Sequence, residues 1–198
     1  MKTHVLGIFS PIRSLRLPLL MLIPVLLVSG CASNSLDLSA LDRRIEIDRF
    51  MGDWYVLSFI PIDLPFFSEA NAHDAVENYR LNEDGWIDVT YTFRDGGFDE
   101  ELKTMKQRAR VFDEILGTEW RVQFVWPFES PYLIAWLSED YDRAIVGVPS
   151  RSNVWILSRS SSVSESEFAD LSQRVSDLGY DSKFLRRVPH RTSDRESE

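Results

Sequence analysis

The side chains that could act as nucleophiles or metal ligands are few and widely separated in this chain. Its one cysteine is Cys31, and its three histidines are His4, His73 and His190. A single cysteine excludes an intramolecular disulfide framework and a structural zinc site built from several cysteines. Asp74 follows His73 and could orient its imidazole, but no Gly-x-Ser-x-Gly turn or similar strained nucleophile accompanies the pair. We therefore predict no enzymatic activity, no catalytic residue, no metal site and no cofactor.

Composition and charge restrict the class of protein further. The chain has 198 residues, of which 44% are hydrophobic, 27% charged and 12% aromatic, and its formal net charge is −9. These proportions are typical of one packed domain rather than of a disordered chain. The acidic balance repels phosphate backbones, so we do not expect nucleic acid as a partner.

Residues 1–30 have the composition of a secretory signal peptide. Arg13 and Arg16 precede an apolar run from Leu17 to Val28. That run, of about a dozen residues, suits a signal-peptide core and falls short of the roughly 20 residues that cross a bilayer as a helix. The leader contains three basic residues and no acidic one, so a product that begins at Cys31 would carry a formal charge of −12.

The segment Leu27-Val28-Ser29-Gly30-Cys31 resembles the lipobox of bacterial lipoproteins. In that family the small residues admit the signal peptidase, and the cysteine becomes both the new N-terminus and the site of lipid attachment. The resemblance implies that Cys31 carries acyl chains such as palmitate, and several chains on one residue anchor a protein stably. Ala32 follows the cysteine, which in this family favours the periplasmic face of the outer membrane. The alternative is an ordinary cleaved signal with an incidental cysteine.

The rest of the chain alternates between apolar and polar residues, as strands do. The clearest runs are Trp86–Phe93, Met105–Val111, Trp120–Trp126, Tyr132–Leu137, Arg143–Val148 and Val154–Arg159. Turn residues separate them, and about eight strands fit between Gly52 and Arg159 with no helix among them. Short strands at regular spacing predict an antiparallel sandwich or barrel.

One helix is predicted after the strands, at about residues 164–179. Ser164 and Glu167 form a capping box, and apolar residues follow at helical spacing up to Gly179, which supplies the C-terminal stop. A last short strand, Lys183–Val188, could pair with the sheet.

These signals predict one folded domain between two polar segments. Residues 31–40 are predicted to be a tether, residues 41–189 the domain, and residues 190–198 a polar tail.

Three segments resemble the sequence motifs of the lipocalins. Gly52-Asp53-Trp54-Tyr55 resembles the first motif, Gly-x-Trp-Tyr, in the opening strand. Residues 138–144 resemble the second motif, at a turn between two later strands, and Val154–Arg159 resembles the third, whose arginine packs against the first tryptophan. The resemblance covers about residues 41–189 and is strongest to the membrane-anchored bacterial lipocalins. It implies an all-β fold with one C-terminal helix, namely an eight-stranded antiparallel up-and-down barrel.

The resemblance gives structural roles to Gly52, Trp54 and Arg159. Trp54 can close the narrow end of a barrel with its large apolar surface. The Arg159 guanidinium can lie on the indole face, a cation–π contact worth roughly 0.5–2 kcal/mol. Gly52 permits a close approach of the chain where a side chain would clash. We expect these three residues to close the barrel and to carry no chemistry.

An eight-stranded barrel can enclose one small ligand. Counting the strand register from Trp54 predicts a lining that is almost wholly apolar and aromatic: Val56, Ser58, Ile87, Val89, Tyr91, Phe93, Val122, Phe124, Trp126, Tyr132, Ile134 and Trp136, with Ile60, Ala109 and Val111 on the same face. Such a lining suits an acyl chain whose polar head lies near the rim. A register error of one residue would exchange the inner and outer faces, and the same aromatic residues could instead pack the barrel shut.

We therefore predict a lipid-anchored, periplasm-facing lipocalin that binds or carries a fatty acid or lysophospholipid in membrane lipid storage, transport or maintenance. The alternative is a non-enzymatic envelope scaffold or interaction lipoprotein with a packed barrel. Residues 60–70 form the connection where lipocalins place a lid. Phe66 and Phe67 are adjacent there, so they gate the mouth, touch a membrane or pack as ordinary loop residues.

Overall fold

The computed structural model describes residues 37–64 and 67–191. The predicted signal peptide of residues 1–30, Cys31 with the rest of the segment up to residue 36, Phe66, and residues 192–198 lie outside the described residues. The expectations for those segments stay predictions. In the described part of the chain, no helix is both long enough and apolar enough to cross a bilayer.

Eight strands, β1 to β8, form the barrel, and a ninth strand of two residues near the C-terminus joins the same sheet. Their bounds are Gly52–Ile60, Ala72–Leu81, Ile87–Asp95, Leu102–Val111, Glu119–Val125, Phe128–Leu137, Arg143–Gly147 and Val154–Ser158. Each strand pairs antiparallel with the next, and β8 pairs back onto β1 from Tyr55 with Ser158 to Ile60 with Val154. This last pairing joins the first and eighth strands and closes the sheet into an up-and-down barrel rather than a sandwich. The predicted fold class is confirmed.

The strand connections alternate between the two ends of the barrel. A short helix, α1 (Ile47–Phe50), precedes β1, and just before it the Ile45 N–H donates to Leu116 O in the β4–β5 connection at 2.9 Å. We call this the closed end, because four buried aromatic side chains fill it with ring centroids 4.9–5.6 Å apart: Phe50, Trp54, Tyr79 and Trp120. The opposite, open end carries the β1–β2 connection and the β5–β6 turn.

Two bulges correct the predicted lining. The pairing of β1 with β8 shifts between Val56 and Ser58, and the pairing of β6 with β7 shifts between Ile134 and Trp136. Because a bulge adds one residue, the side chains beyond it change face. Ser58 therefore donates to a backbone carbonyl of the C-terminal segment, and Ile60 and Trp136 pack outside the barrel. The prediction that these three residues face the lumen was wrong.

Helix α2 (Glu165–Asp177) covers part of the outer face of the barrel. The Ser164 hydroxyl caps its N-terminus by accepting from the backbone N–H three residues on, at 3.2 Å, and Gly179, at φ +89°, follows its C-terminus. The helix was predicted at this place. Its apolar stripe and the outward side chains of the strands form a second buried cluster: Leu57, Leu133, Ile145, Ile156, Leu171 and Val175.

The packed body begins before the predicted boundary at residue 41. Leu38 is buried in the cluster beneath α2, and its N–H donates to Pro149 O at 2.7 Å. The prediction of a free tether over residues 31–40 was therefore wrong for its last residues, because Leu38 is apolar enough to pack against the barrel.

The C-terminal segment also packs further than predicted. His190 Nε2 lies 2.9 Å from Val56 O, although residues 190–198 were predicted as a polar tail. Of the predicted strand Lys183–Val188, only Arg186–Arg187 (β9) pairs with β1, and a 3₁₀ turn precedes it.

Candidate ligand-binding site

Arg159, just after β8, fastens the closed end of the barrel. Its Cζ lies 3.8 Å from the centre of the Trp54 ring, so the contact that the family resemblance implied is present. Its Nη2 donates to the carbonyl oxygens of residues 49–51 at 2.8–3.1 Å, and its Nη1 donates to Asp53 O at 2.6 Å. Gly52 has φ +95°, which makes a side chain unfavourable there. One guanidinium thus satisfies the carbonyl oxygens where α1 ends and β1 begins.

The second motif, at the β6–β7 turn, joins the same end. The Tyr141 hydroxyl accepts a hydrogen bond from Glu46 N at 2.8 Å, and Arg49 lies over the Tyr141 ring, 3.9 Å from its centre. Tyr141 O also accepts from Arg159 Nε at 3.4 Å. The three motif segments therefore meet around α1 at the closed end.

The barrel lumen is almost filled by side chains. A residual cavity of about 30 Å³ remains, which is room for about two water molecules. Its wall consists of Ile62, Phe67, Glu69, Glu77, Tyr79, Val89, Tyr91, Gln107, Val122, Phe124, Tyr132 and Trp155. Pockets for small organic ligands occupy roughly 300–1,000 Å³. An acyl chain therefore needs side chains to move before it can enter the lumen.

Phe67 separates this cavity from a wider groove at the open end. The groove measures about 690 Å³, is open to solvent, and is lined among others by Asn71, Phe93, Lys103 and Met105. Phe67 borders both spaces and packs edge-on against Phe93, with ring centroids 6.3 Å apart. Phe67 is therefore the described residue that the linings of the cavity and the groove share.

Most of the predicted lining residues do face the lumen. Eight of them belong to its buried cluster: Val56, Ile87, Val89, Tyr91, Phe93, Val122, Tyr132 and Ile134. Phe124 borders the cavity and is 42% exposed. Trp126 is 76% exposed at the β5–β6 turn, so its predicted inward position was wrong, because β5 ends at Val125 and its pairing with β6 is already shifted there. Whether any of these residues binds a ligand stays a prediction.

Two acidic residues in the cavity wall were missed by sequence reasoning. Glu69, in the β1–β2 connection, is 3% exposed. Glu77, in β2, pairs with Trp54 on one side and with Tyr91 on the other, and therefore faces the lumen. Strand β2 was the barrel strand that the sequence did not delimit, because it carries polar residues on both faces. Its pairing with β1 at Trp54 was the signal that could have placed Glu77 inside.

The Glu69 carboxyl is held by hydrogen bonds from two directions. Its Oε1 accepts from Ile62 N at 2.8 Å and from Trp155 Nε1 at 3.1 Å. Burial raises the pKa of Glu69 from 4.5 to about 7, although these hydrogen bonds and the nearby Tyr91 hydroxyl act to lower it. That hydroxyl is itself buried and makes no hydrogen bond of normal geometry within the described chain.

The Glu77 carboxyl lies against two tyrosines. Its Oε2 accepts from the Tyr79 hydroxyl and, at 3.3 Å, from the Tyr132 hydroxyl, and the two hydroxyl oxygens are 2.6 Å apart. Burial, and then the charge of Glu69, raise the pKa of Glu77 from 4.5 to about 8, while the hydrogen bond from Tyr132 lowers it. Burial and the two carboxylates raise the pKa of Tyr132 far above its ordinary range, so this phenol stays neutral.

The cavity contains two carboxyl groups that can ionise and, among the described residues, no basic side chain that would balance their negative charge. No lysine, arginine or histidine is among the residues that border it in the described part of the chain. A buried carboxylate without a partner is unfavourable, so near neutral pH the pair holds protons in the empty barrel. The site can therefore bind a proton or a cation beside an apolar wall.

The open end also exposes large apolar side chains. Trp126, in the β5–β6 turn, is 76% exposed, and Phe128, the first residue of β6, is 74% exposed. Phe124 lies two residues before Trp126, near the end of β5.

The sequence profile of the lipocalin-like domain matches residues 45–190 of this chain. The chain belongs to the lipocalin family. This lipocalin is 30% identical over 161 residues to temperature-induced lipocalin-1 of Arabidopsis thaliana, with 78% of this chain and 84% of the plant protein covered. It is 26% identical over 163 residues to the outer membrane lipoprotein Blc of Vibrio cholerae, with 80% and 90% covered. To Blc of Escherichia coli K12 it is 28% identical over 148 residues, with 72% and 78% covered.

Solved lipocalin-like barrels match this lipocalin at lower identity. The major allergen Per a 4 from cockroaches superposes with a TM-score of 0.58 at 16% identity, covering 78% of this chain and 94% of the allergen. Apocrustacyanin C2 superposes with a TM-score of 0.56 at 13% identity, covering 75% and 81%. At these identities the likeness establishes the barrel fold alone.

Proposed function

We propose that this lipocalin binds one elongated hydrophobic molecule, of the fatty acid or lysophospholipid class, in its barrel. The observation that carries the proposal is the apolar and aromatic lumen wall, beside a groove that is open to solvent and that Phe67 also borders. Burial of apolar surface drives such binding, at roughly 0.8 kcal/mol for each methylene removed from water. The protein acts by binding, without chemistry on its ligand.

We further propose that the protein works at the periplasmic face of the outer membrane, attached through lipid on Cys31, in lipid storage, transport or maintenance. The segment 27–31 supports this, as do the Blc relatives, whose names describe outer membrane lipoproteins. The exposed Trp126 and Phe128 at the mouth also suit a position close to a lipid surface.

A second function is favoured by the small volume of the cavity. If side chains never leave the lumen, about 30 Å³ admits water and no lipid, and the protein is an envelope scaffold with a packed barrel. The two functions differ in whether the lumen opens.

A titration of tryptophan emission separates them, since Trp155 borders the cavity. The chain from Ala32 onward contains every residue whose contacts are described here, because the described residues begin at residue 37. Adding laurate or a lysophospholipid should change the emission and saturate near one equivalent. If the emission of the folded protein stays constant across several lipid classes, lipid binding is excluded and the scaffold function is supported.

A further inference from the structure

The unexplained feature of the lumen is its pair of acidic side chains. A barrel that held only acyl chains would need neither Glu69 nor Glu77, and each is unfavourable to bury as an anion. Both nevertheless border the same cavity, one in the β1–β2 connection and one in β2. Their presence there calls for a ligand group that they could bind.

Each carboxyl is fixed in place but retains binding capacity. Hydrogen bonds engage Oε1 of Glu69 and Oε2 of Glu77, and each carboxyl has a second oxygen besides. The Tyr91 hydroxyl is buried and borders the same cavity, where it interacts with Glu69 without a hydrogen bond of normal geometry. Three polar groups are thus aimed at one small space.

Aromatic rings surround these groups. Tyr132 and Trp155 border the cavity with ring centroids 6.2 Å apart, and Phe67 closes it toward the groove. The faces of such rings attract cations within about 6 Å of their centroids, most strongly where water is excluded. Two carboxyl groups in a cavity bordered by aromatic side chains are complementary to an ammonium group.

We propose that, among hydrophobic molecules of one chain length that this lumen admits, an amine binds more tightly than an alcohol or a fatty acid, because the Glu69–Glu77 pair binds its protonated nitrogen while the alkyl chain lies toward the open end. The proposal rests on the proposed function, since it needs a lumen that opens to a hydrophobic molecule. A cavity of about 30 Å³ accommodates an ammonium group and no chain, so the alkyl part takes the space that Phe67 and Phe124 leave when they move.

The proton balance follows from the two protonation states. In the empty barrel near neutral pH, Glu77 and part of the Glu69 population are neutral acids. The ammonium ion enters with its own proton, and its single positive charge balances one carboxylate, so the pair keeps one proton and any other carboxyl proton passes to the buffer. Binding of the amine therefore releases up to one proton for the pair, whereas a neutral ligand of equal length releases none.

Isothermal titration calorimetry on the chain from Ala32 onward tests this with dodecylamine, dodecanol and laurate, which share one chain length. At about pH 7.5 we expect dodecylamine to bind about tenfold or more tightly than the other two. Titrations in buffers of different ionisation enthalpy should show proton release with dodecylamine and none with dodecanol.

The variants Glu69→Gln and Glu77→Gln remove the charge and keep the carbonyl oxygen that accepts the hydrogen bonds. Each should weaken dodecylamine binding about tenfold and leave dodecanol binding unchanged. Glu165→Gln is the matched control, because Glu165 is an exposed glutamate on α2 that pairs with Arg187. This variant should change the binding of neither dodecylamine nor dodecanol.

The outcomes separate this inference from the proposed function. If dodecanol or laurate binds as tightly as dodecylamine, or if both glutamine variants bind the amine normally, the amine preference is wrong while lipid binding stands. If none of the three ligands binds the folded protein, the proposed function fails as well. Should one glutamine variant not fold, the other variant and the proton release of the natural chain decide the question.

Discussion

The Trp155 indole donates a 3.1 Å hydrogen bond to the Glu69 carboxyl and so joins strand β8 to the β1–β2 connection across the lumen. The two residues are 86 positions apart in the chain. Their contact places a titratable group directly against a fluorophore at the wall of the cavity. Protonation and occupancy of the lumen are therefore both expected to change the emission of Trp155.

The first prediction concerns the pH dependence of stability. In the unfolded chain Glu69 and Glu77 lose their protons near pH 4.5, whereas in the folded chain they keep them to about pH 7 and 8. The folded state therefore binds more protons across this interval, and the free energy of unfolding falls as pH rises through it. The tyrosines that face the pair stay neutral throughout, because burial raises the pKa of Tyr91 and Tyr132.

Glu77→Gln removes part of this dependence. At about pH 9 the variant should be more stable than the natural chain by on the order of 2 kcal/mol, and at about pH 5 the two should agree within about 1 kcal/mol. Urea unfolding across the pH range measures this. Glu165→Gln is the control, since the hydrogen bond from Arg187 lowers the pKa of Glu165 below the interval. Parallel curves for Glu77→Gln and the natural chain would contradict the burial of this carboxyl.

The second prediction concerns the arginine at the closed end. Arg159→Ala removes donors to five backbone carbonyl oxygens and the cation over Trp54, so it should lower the free energy of unfolding by about 3 kcal/mol. Arg159→Lys should recover only part, because an ammonium group lacks the planar fork. Denaturant unfolding compares both with Arg80→Ala, which breaks an exposed pair with Asp88 and should cost at most about 0.5 kcal/mol. Equal effects of the Arg159 and Arg80 substitutions would refute the closing role.

The closed end could be predicted from the sequence and the lumen could not be predicted fully. Gly52, Trp54 and Arg159 can be identified from the sequence because they occur in short motifs of recognisable residue types and spacing. The structure brings the three residues together at the closed end. Ser58 and Trp136 were wrongly assigned to the lumen because each lies beyond a bulge. A bulge depends on the pairing of two strands, so the sequence of one strand does not predict it.

The positions of Glu69 and Glu77 in the lumen could not be predicted from the sequence either. Alternation identifies a strand when one face is apolar, and β2 carries Glu77 on the face where an apolar residue would be expected. Glu69 lies in a connection where no periodicity applies. A buried charge contradicts the local pattern, and such contradictions are expected at sites of function.

The third prediction concerns Phe67. Phe67→Ala removes the ring that separates the cavity from the groove, so laurate and dodecylamine should bind with a higher association rate constant. Stopped-flow measurement of Trp155 emission gives this rate. Phe112→Ala, which removes a half-exposed ring from the β4–β5 connection at the closed end, is the control and should leave the rate unchanged. A rate unaffected by Phe67→Ala would mean that ligands enter elsewhere.

The fourth prediction tests which residues face inward. Val122→Trp adds bulk to the cavity wall and should abolish the binding of laurate and of dodecylamine, because the lumen has no spare volume to accept the larger ring. Trp136→Phe changes a residue on the outer face, beside Arg174, and should leave both affinities unchanged. Circular dichroism verifies that each variant folds. Normal binding by Val122→Trp, or lost binding by folded Trp136→Phe, would show that the lumen has been assigned to the wrong face.

Native mass spectrometry of the full protein, extracted from the membranes of cells that produce it, tests the central claim most directly. We predict a population in which each chain carries one hydrophobic molecule, and the loss of that population in Val122→Trp but not in Trp136→Phe. A natural chain that is recovered without any bound molecule, and that also fails to bind laurate, lysophospholipid and dodecylamine when they are added, would contradict the claim that this barrel opens to a ligand.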